Sequence, residues 1–454
     1  MKRFPLNLWI VLIGAILTVL HLRIPTSNKS GACIATTGIG LILAAVIFYD
    51  PEVRFPGYFA LLPTLGAACL IFAGIGHKSP ISRILALPPI VYIGRISYSL
   101  YLVHWPINVF AVLLLKEDYL LSWRLAMFAL SICIAAMIYH LVENPFRHRR
   151  VFATGKGLIF GYLTGLVITL AIFITVKQAD GFPQRFPDDV VRMASYTNDK
   201  TPLLTECQFR GKANLVEQDF CQLGVSGVEP KWLIYGDSHA WAAYSVFNEW
   251  LTERNQSGLF IFQHSCPPVI GVHLFRDKGN CFRFNKGVAE FLKKRPDLEN
   301  LFLVSIWRQA IGARLTSSSD TLFTRQESVK LFEEKFVSTI EFYSGLGKKV
   351  FIWEPVPGAK RKVPLSLARD ALTGKSSEIR FRREAYLADY DFFFRALKKV
   401  SHLIELSFSP SKALCGDGYC DVVVEGRPVY FDTNHITKSM AKFWVDQLSS
   451  QYAK

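Results

Sequence analysis

Two short segments hold residue types that can together run acyl-transfer chemistry. Leu233-Ile-Tyr-Gly-Asp-Ser-His-Ala240 is an apolar run that breaks at Gly236 and continues as a helical pattern, the form of a strand that turns directly into a helix. A serine on such a turn stands at the carboxyl edge of the sheet, where open α/β folds bind their ligands. Its N–H, at the start of the helix, points toward developing negative charge. Near the C-terminus, Phe431-Asp-Thr-Asn-His-Ile436 sets Asp432 and His435 three apart, just ahead of a closing helix. In that arrangement Asp432 orients the imidazole, His435 takes the serine proton and Ser238 attacks as the nucleophile. Each segment also has a plain structural reading: Ser238 as a helix N-cap, and Asp432 and Asn434 as caps of the last helix. Both together, in this order in one α/β chain, favour catalysis.

The elements that must carry these residues follow from periodicity. Lys231–Tyr235, Leu259–Gln263, Leu301–Ile306, Lys349–Trp353 and His402–Ser407 read as strands. Ala240–Arg254, Glu327–Leu346, Ile379–Val400 and Thr437–Tyr452 read as helices. Strand-helix alternation implies an α/β domain of three layers, with a mainly parallel sheet covered on both faces. Six cysteines fall in close pairs after residue 200: Cys207 with Cys221, Cys266 with Cys281, and Cys415 with Cys420. An even count at short spacing suggests three disulfides and an oxidising compartment, although six cysteines permit other connectivities. A zinc site is the weaker alternative, because no CxxC pair has histidines nearby; no metal is expected.

The first 180 residues are of another kind. They hold 15 of the 52 Lys and Arg and only 6 of the 37 Asp and Glu, clustered between long apolar runs. Six runs meet or approach the length of about 20 residues that spans a bilayer: Leu6–Leu22, Gly31–Tyr49, Gly57–Gly76, Ile90–Leu115, Trp123–Val142 and Gly157–Val176. Basic residues in short loops beside such runs set orientation rather than bind nucleic acid, so no nucleic-acid partner is expected and membrane lipid is. Arg147, Arg149, Arg150 and Lys156 place their loop in the cytoplasm and send the sixth helix outward, so the cysteine-containing domain lies outside. Lys2 and Arg3 fall on the wrong face in this scheme, as they would if an odd number of upstream helices were missing; stronger later loops outvoting them is the alternative. The scatter of the remaining charge over the outer domain reads as a solvated surface, with a basic face that attracts an anionic glycan as the alternative.

The outer segments resemble the SGNH hydrolase superfamily, whose first block is GDS and whose last is DxxH. The version fused to membrane acyltransferases matches more specifically: GDSH, Cys266-Pro-Pro, a strand ending in Ser305-Ile-Trp, Glu354-Pro-Val-Pro, and DxxH, over about residues 205–450. The resemblance implies a flavodoxin-like three-layer fold, with Ser238, Asp432 and His435 as the catalytic set. It also implies an oxyanion hole built from the Ser238 N–H, Gly271 and a third donor, for which Gln309 or Arg308 substitutes in Ile306-Trp-Arg-Gln. In the membrane half, Tyr92-Ile-Gly-Arg-Ile-Ser-Tyr-Ser-Leu-Tyr-Leu-Val-His-Trp-Pro106 and His140-Leu-Val-Glu-Asn-Pro-Phe146 are similar to the closing helices of the acyltransferase-3 family. Arg95 and His104 are costly in lipid and are expected to face a water-filled cavity or one another, interfacial anchoring being the alternative. That family has about ten helices, of which the last five match here.

The resulting expectation divides the chain into a partial acyltransferase-3 membrane domain at 1–150, an additional membrane helix at 151–180, an extracytoplasmic extension at 181–230 and an SGNH domain at 231–454. It places a multi-pass protein in a bacterial inner membrane with its C-terminal domain in the periplasm. The implied activity is O-acylation, most simply O-acetylation, of an envelope glycan such as a lipopolysaccharide O-antigen, through an acyl-serine at Ser238. Acyl-CoA is the implied donor, with no bound cofactor. A membrane-anchored esterase, a half-protein working with a separately encoded N-terminal half, and an inactive membrane anchor are the competing readings.

Overall fold

A computed structural model describes residues 28–49, 58–74, 79–115, 121–148 and 154–453, apart from 213, 313, 375, 377 and 417. The chain divides into two compact units, Met1–Ile172 and Phe173–Lys454.

The first unit is helical. Asn28–Phe48 packs closely on Leu61–Gly74, because Gly38 and Gly66 meet there: a Cβ on either would lie 2.7 Å from the other's carbonyl oxygen. Pro88–Leu115 packs on Leu121–Ile138, which continues through a wider π turn, Tyr139–Glu143, into Asn144–Arg147. Among the described residues, Lys29–Phe48, Leu121–Arg147 and Gly155–Gln178 are long and apolar enough to cross a membrane. The expected span Gly57–Gly76 is a shorter apolar helix, Leu61–Gly74, and Ile90–Leu115 falls within the single helix Pro88–Leu115. Leu6–Leu22, with Lys2 and Arg3, lies outside the described residues. Gly155–Gln178 buries none of its residues, with Phe160 and Val167 among many apolar side chains left exposed. An apolar helix this exposed is stable only with an apolar surrounding.

The second unit is built on a six-stranded sheet. Its strands are β1 (Cys221–Gly224), β2 (Trp232–Gly236), β3 (Ser257–Phe262), β4 (Asn300–Val304), β5 (Lys349–Trp353) and β6 (Ile404–Phe408), in the order β1-β3-β2-β4-β5-β6. All neighbours are parallel except β1, which runs antiparallel to β3 at the edge. Side-chain alternation along the strands feeds two cores. Leu233 and Tyr235 join one with Phe284, Phe332, Phe336 and Phe393; Trp232 and Ile234 join the other with Phe247, Trp250 and Trp444. Burying a large apolar side chain of this kind contributes about 1.5–3 kcal/mol. The sheet is thereby sandwiched by helices Asn280–Lys293, Arg325–Gly345 and Asp391–Lys399 on one face, and Tyr244–Glu253 and Ala441–Tyr452 on the other.

The expected strands and helices sit within a few residues of their predicted places, with three informative differences. The helix expected over Ala240–Arg254 is two, Ser238–Ala242 and Tyr244–Glu253. That over Ile379–Val400 begins later and breaks at Tyr390, whose side chain is buried. The segment 181–230 is not a free extension: it supplies β1, the helix Asp188–Ser195 that packs on Val363–Thr373, and Asp199, whose carboxylate accepts from the Ser439 N–H at 3.2 Å. Disulfides join Cys207 to Cys221, Cys266 to Cys281 and Cys415 to Cys420.

Candidate active site

Gly236 closes β2 where the backbone comes against β4: a Cβ there would sit 1.7 Å from the Val304 carbonyl oxygen, so no other residue fits without parting the strands. Asp237 follows as N-cap, its Oδ1 accepting from the His239 N–H at 2.8 Å, and Ser238 opens the helix. At the other end of the domain, the turn before the last helix is tied by Asp432, whose Oδ1 accepts from the N–H groups of Asn434 at 2.9 Å and His435 at 2.8 Å. Its Oδ2 accepts from His435 Nδ1 at 2.7 Å. With Nδ1–H committed to the carboxylate, Nε2 is left as an acceptor, and the Ser238 hydroxyl lies 2.8 Å from it. The three residues named from the sequence thus form one continuous proton path across a separation of 197 positions. Partial burial works to raise the Asp432 pKa, but the His435 hydrogen bond and charge, with the two backbone donors, outweigh it and hold it at about 2.

A second layer fixes this path. His239 is buried and stacks on His435 with ring centroids 4.5 Å apart. Burial, and then the neighbouring His435, lower the His239 pKa well below 6.5, so it is a neutral platform. Phe431 covers His435 at 5.5 Å, nearly parallel. Asp237, fully buried, gathers Ser305 Oγ at 2.6 Å, Gln309 Nε2 at 3.0 Å and the Ile306 N–H at 3.2 Å on its Oδ2. Burial raises its pKa, and those donors offset part of the rise. This knot ties the serine turn to the end of β4 and holds Trp307 in a left-handed conformation, φ +58°, its indole donating to the Trp353 carbonyl.

Of the residues expected to donate to an oxyanion, Ser238 and Gln309 reach the candidate cleft and Gly271 does not. Ser238 lines a cleft of about 460 Å³ with His239, Ser265, Gln309 and His435. Gly271 does not line it; its φ of +81° serves a turn packed beside the Lys335 side chain. Gln309 does line it, but both hydrogens of its amide nitrogen are spent on Asp237 and on the Ser265 carbonyl at 3.1 Å. That leaves main-chain N–H groups. Those of Ser238 and Ser265 have no hydrogen-bond partner among the described residues, and both residues face the cleft. Ser265, at φ +63°, turns the chain after β3, and the adjacent Cys266–Cys281 bond pins that turn. The sequence signal for Ser265 is only its place before Cys266-Pro-Pro. Arg308 is exposed and reaches Asp389 at 3.6 Å.

In the helical unit, Arg95 and His104 do not meet. They are nine positions apart on one helix, which at about 100° per residue puts them on opposite faces. His104 lines a cleft of about 560 Å³ with Ser97, Asn108, Arg124 and Ser131, and Arg95 is exposed elsewhere. The segment His140–Phe146 instead contacts the helix Pro88–Leu115 through Glu143, which accepts from Ser99 at 2.8 Å, and His140, 3.2 Å from the Tyr92 hydroxyl. Among the described residues, no group of three or more His, Cys, Asp and Glu is placed to hold a metal ion.

Two Staphylococcus aureus proteins, of strains COL and N315, carry provisional O-acetyltransferase names and are 32% identical over 120 residues, a quarter of this chain and 19% of their own lengths. The chain therefore matches only about a fifth of the length of these curated relatives. Among solved structures, the periplasmic domain of a lipopolysaccharide acetyltransferase from Salmonella ser. Paratyphi A is similar, with 16% identity, a TM-score of 0.41, and coverage of 59% of this chain and 98% of that one. The family model for the SGNH domain fused to AT3 domains matches residues 206–450, more than half of the chain and a span that includes Ser238, Asp432 and His435; the protein belongs to that SGNH family.

Proposed function

We propose that this chain O-acylates a cell-envelope glycan, with acetyl as the transferred group, through an ester on Ser238. The observation that carries the reading is the unbroken Asp432–His435–Ser238 path opening into a cleft large enough for a sugar ring. The O-acetyltransferase names of the staphylococcal relatives point to the same chemistry. His435 Nε2 takes the hydroxyl proton as Ser238 Oγ bonds to the acyl carbon. The negative charge on the acyl oxygen is met by the N–H groups of Ser238 and Ser265. His435 returns the proton to the leaving group, and the acyl group remains on Ser238. A sugar hydroxyl then attacks that ester while His435 takes its proton, and collapse returns the proton to Ser238 Oγ. Asp432 stays ionised throughout and steadies the imidazolium that forms twice per cycle. Acyl-CoA on the cytoplasmic side is the ultimate donor in this reading, the helical unit lies in the inner membrane, and the SGNH domain works in the periplasm.

The test is partition. The chain in detergent, given p-nitrophenyl acetate and an envelope polysaccharide, yields acetylated glycan as well as acetate, and Ser238→Ala yields neither above background. Acetate alone, with every polysaccharide offered, identifies the protein as an esterase instead.

A further inference from the structure

The cleft that holds Ser238 is also lined by three exposed arginines, Arg308, Arg314 and Arg325. Arg308 and Arg314 come from the loop after β4, and Arg325 is the first residue of the helix Arg325–Gly345. Two carboxylates share the lining, Asp237 and Asp389. Asp237 is buried, and its oxygens are taken up by Ser305, Gln309 and the N–H groups of Ile306 and His239. Asp389 reaches Arg308 at 3.6 Å. Among the described residues, neither Arg314 nor Arg325 has a carboxylate within ion-pair distance.

Arg325 is also misplaced for its own helix. The first turn is the positive end of the helix dipole, where acidic side chains are favourable and basic ones are not. Thr324 and Glu327 already complete that end with a reciprocal cap, so Arg325 adds only repulsion there. A solvated arginine on a convex face needs no further account. Two unneutralised ones in the concavity that contains the nucleophile raise the local potential, and a concave low-dielectric wall focuses it. Their planar forks suit the paired oxygens of a carboxylate or phosphate.

We propose that Arg314 and Arg325 form an anion subsite, so that the acceptor whose hydroxyl reaches acyl-Ser238 is a sugar carrying a carboxylate or phosphate group. The proposal rests on the transfer reading above, but its test stands apart from it. The full chain in detergent hydrolyses p-nitrophenyl acetate in the presence of methyl glucuronide, glucose 1-phosphate or the neutral methyl glucoside. Inhibition constants are taken against each variant's own uninhibited rate, so residual turnover does not enter them. The anionic sugars inhibit at concentrations about tenfold lower than the neutral one, the size expected of a charge-assisted pair in a partly exposed site. Added salt narrows that gap. Arg314→Gln with Arg325→Gln abolishes it, Arg325→Lys keeps part of it, and Asp389→Asn, which releases Arg308, widens it. A preference for the glucuronide alone or the phosphate alone identifies which anion the site takes. Equal inhibition by all three sugars in the wild type, or a preference that survives the double substitution, overturns the subsite. The transfer reading fails independently, by the absence of any acetylated sugar among the products.

Discussion

Removing any one member of the Ser238–His435–Asp432 path breaks a unit, so single substitutions are expected to be nearly as damaging as multiple ones. Ser238→Ala and His435→Ala each lower kcat toward a small acetyl ester by about 10³–10⁶, and Asp432→Asn by about 10⁴. Circular dichroism of the variants matching the wild type separates this loss from unfolding. The lowered Asp432 pKa adds stability that is full above its unfolded value of 3.8 and is lost as pH falls through about 2. His239 responds to acid in the same direction, but in a higher pH window. Its folded-state pKa lies below the unfolded value of 6.5, so as pH falls below 6.5 the unfolded chain takes the proton first and the native state loses stability. Urea midpoints measured between pH 7 and pH 5 therefore fall in the wild type and fall less in His239→Phe, which keeps the stacked ring and removes the titration. An unchanged slope in that variant would show that His239 is not a buried neutral group.

The elements explain which parts of the site were legible in the sequence. Strand-to-helix turns and helix starts are local, so the position of Ser238 and the Asp432–His435 pair could be read from Gly236-Asp-Ser and Asp-Thr-Asn-His. The oxyanion donors could not. In the proposed mechanism they are backbone groups, and which N–H remains free depends on the side chains that fold over it. Gln309, a candidate donor to substrate on sequence grounds, spends its amide on Asp237 and Ser265, a choice made by tertiary contact between β4's end and the serine turn. Gly271 satisfies a positive φ away from the cleft. Gly236→Ala forces β2 from β4 at the Val304 carbonyl and costs on the order of 3–5 kcal/mol or prevents folding, read as loss of soluble protein or of its cooperative thermal transition. Cys266 and Cys281 close a loop of 15 residues, so Cys281→Ser costs about 3 kcal/mol in denaturant unfolding. Because Ser265 directly precedes Cys266, the same variant is expected to lower kcat more than it changes KM.

At the scale of the whole molecule, apolar helices and a disulfide-bonded α/β domain share one chain, and each implies an environment. The two units were legible from composition alone, since spans and soluble domains differ in residue content over tens of positions. The surroundings of Arg95 and His104 were not, because the cost of intramembrane charge says that a polar partner is needed without saying which. In cells, the protein is expected to resist alkaline carbonate extraction. After mild reduction, the Cys415–Cys420 thiols react with a membrane-impermeant maleimide in spheroplasts; labelling only after lysis would place the domain in the cytoplasm.

In the proposed cycle every acyl group passes through Ser238. Rapid quenching of the chain during turnover of an acetyl ester, followed by proteolysis and mass spectrometry, is predicted to find acetyl on the peptide containing Ser238. The label should be released by hydroxylamine at the rate of an ester and be absent in Ser238→Ala. Acetyl transfer to glycan that proceeds at the wild-type rate with Ser238 unlabelled, or in Ser238→Ala, would contradict the account.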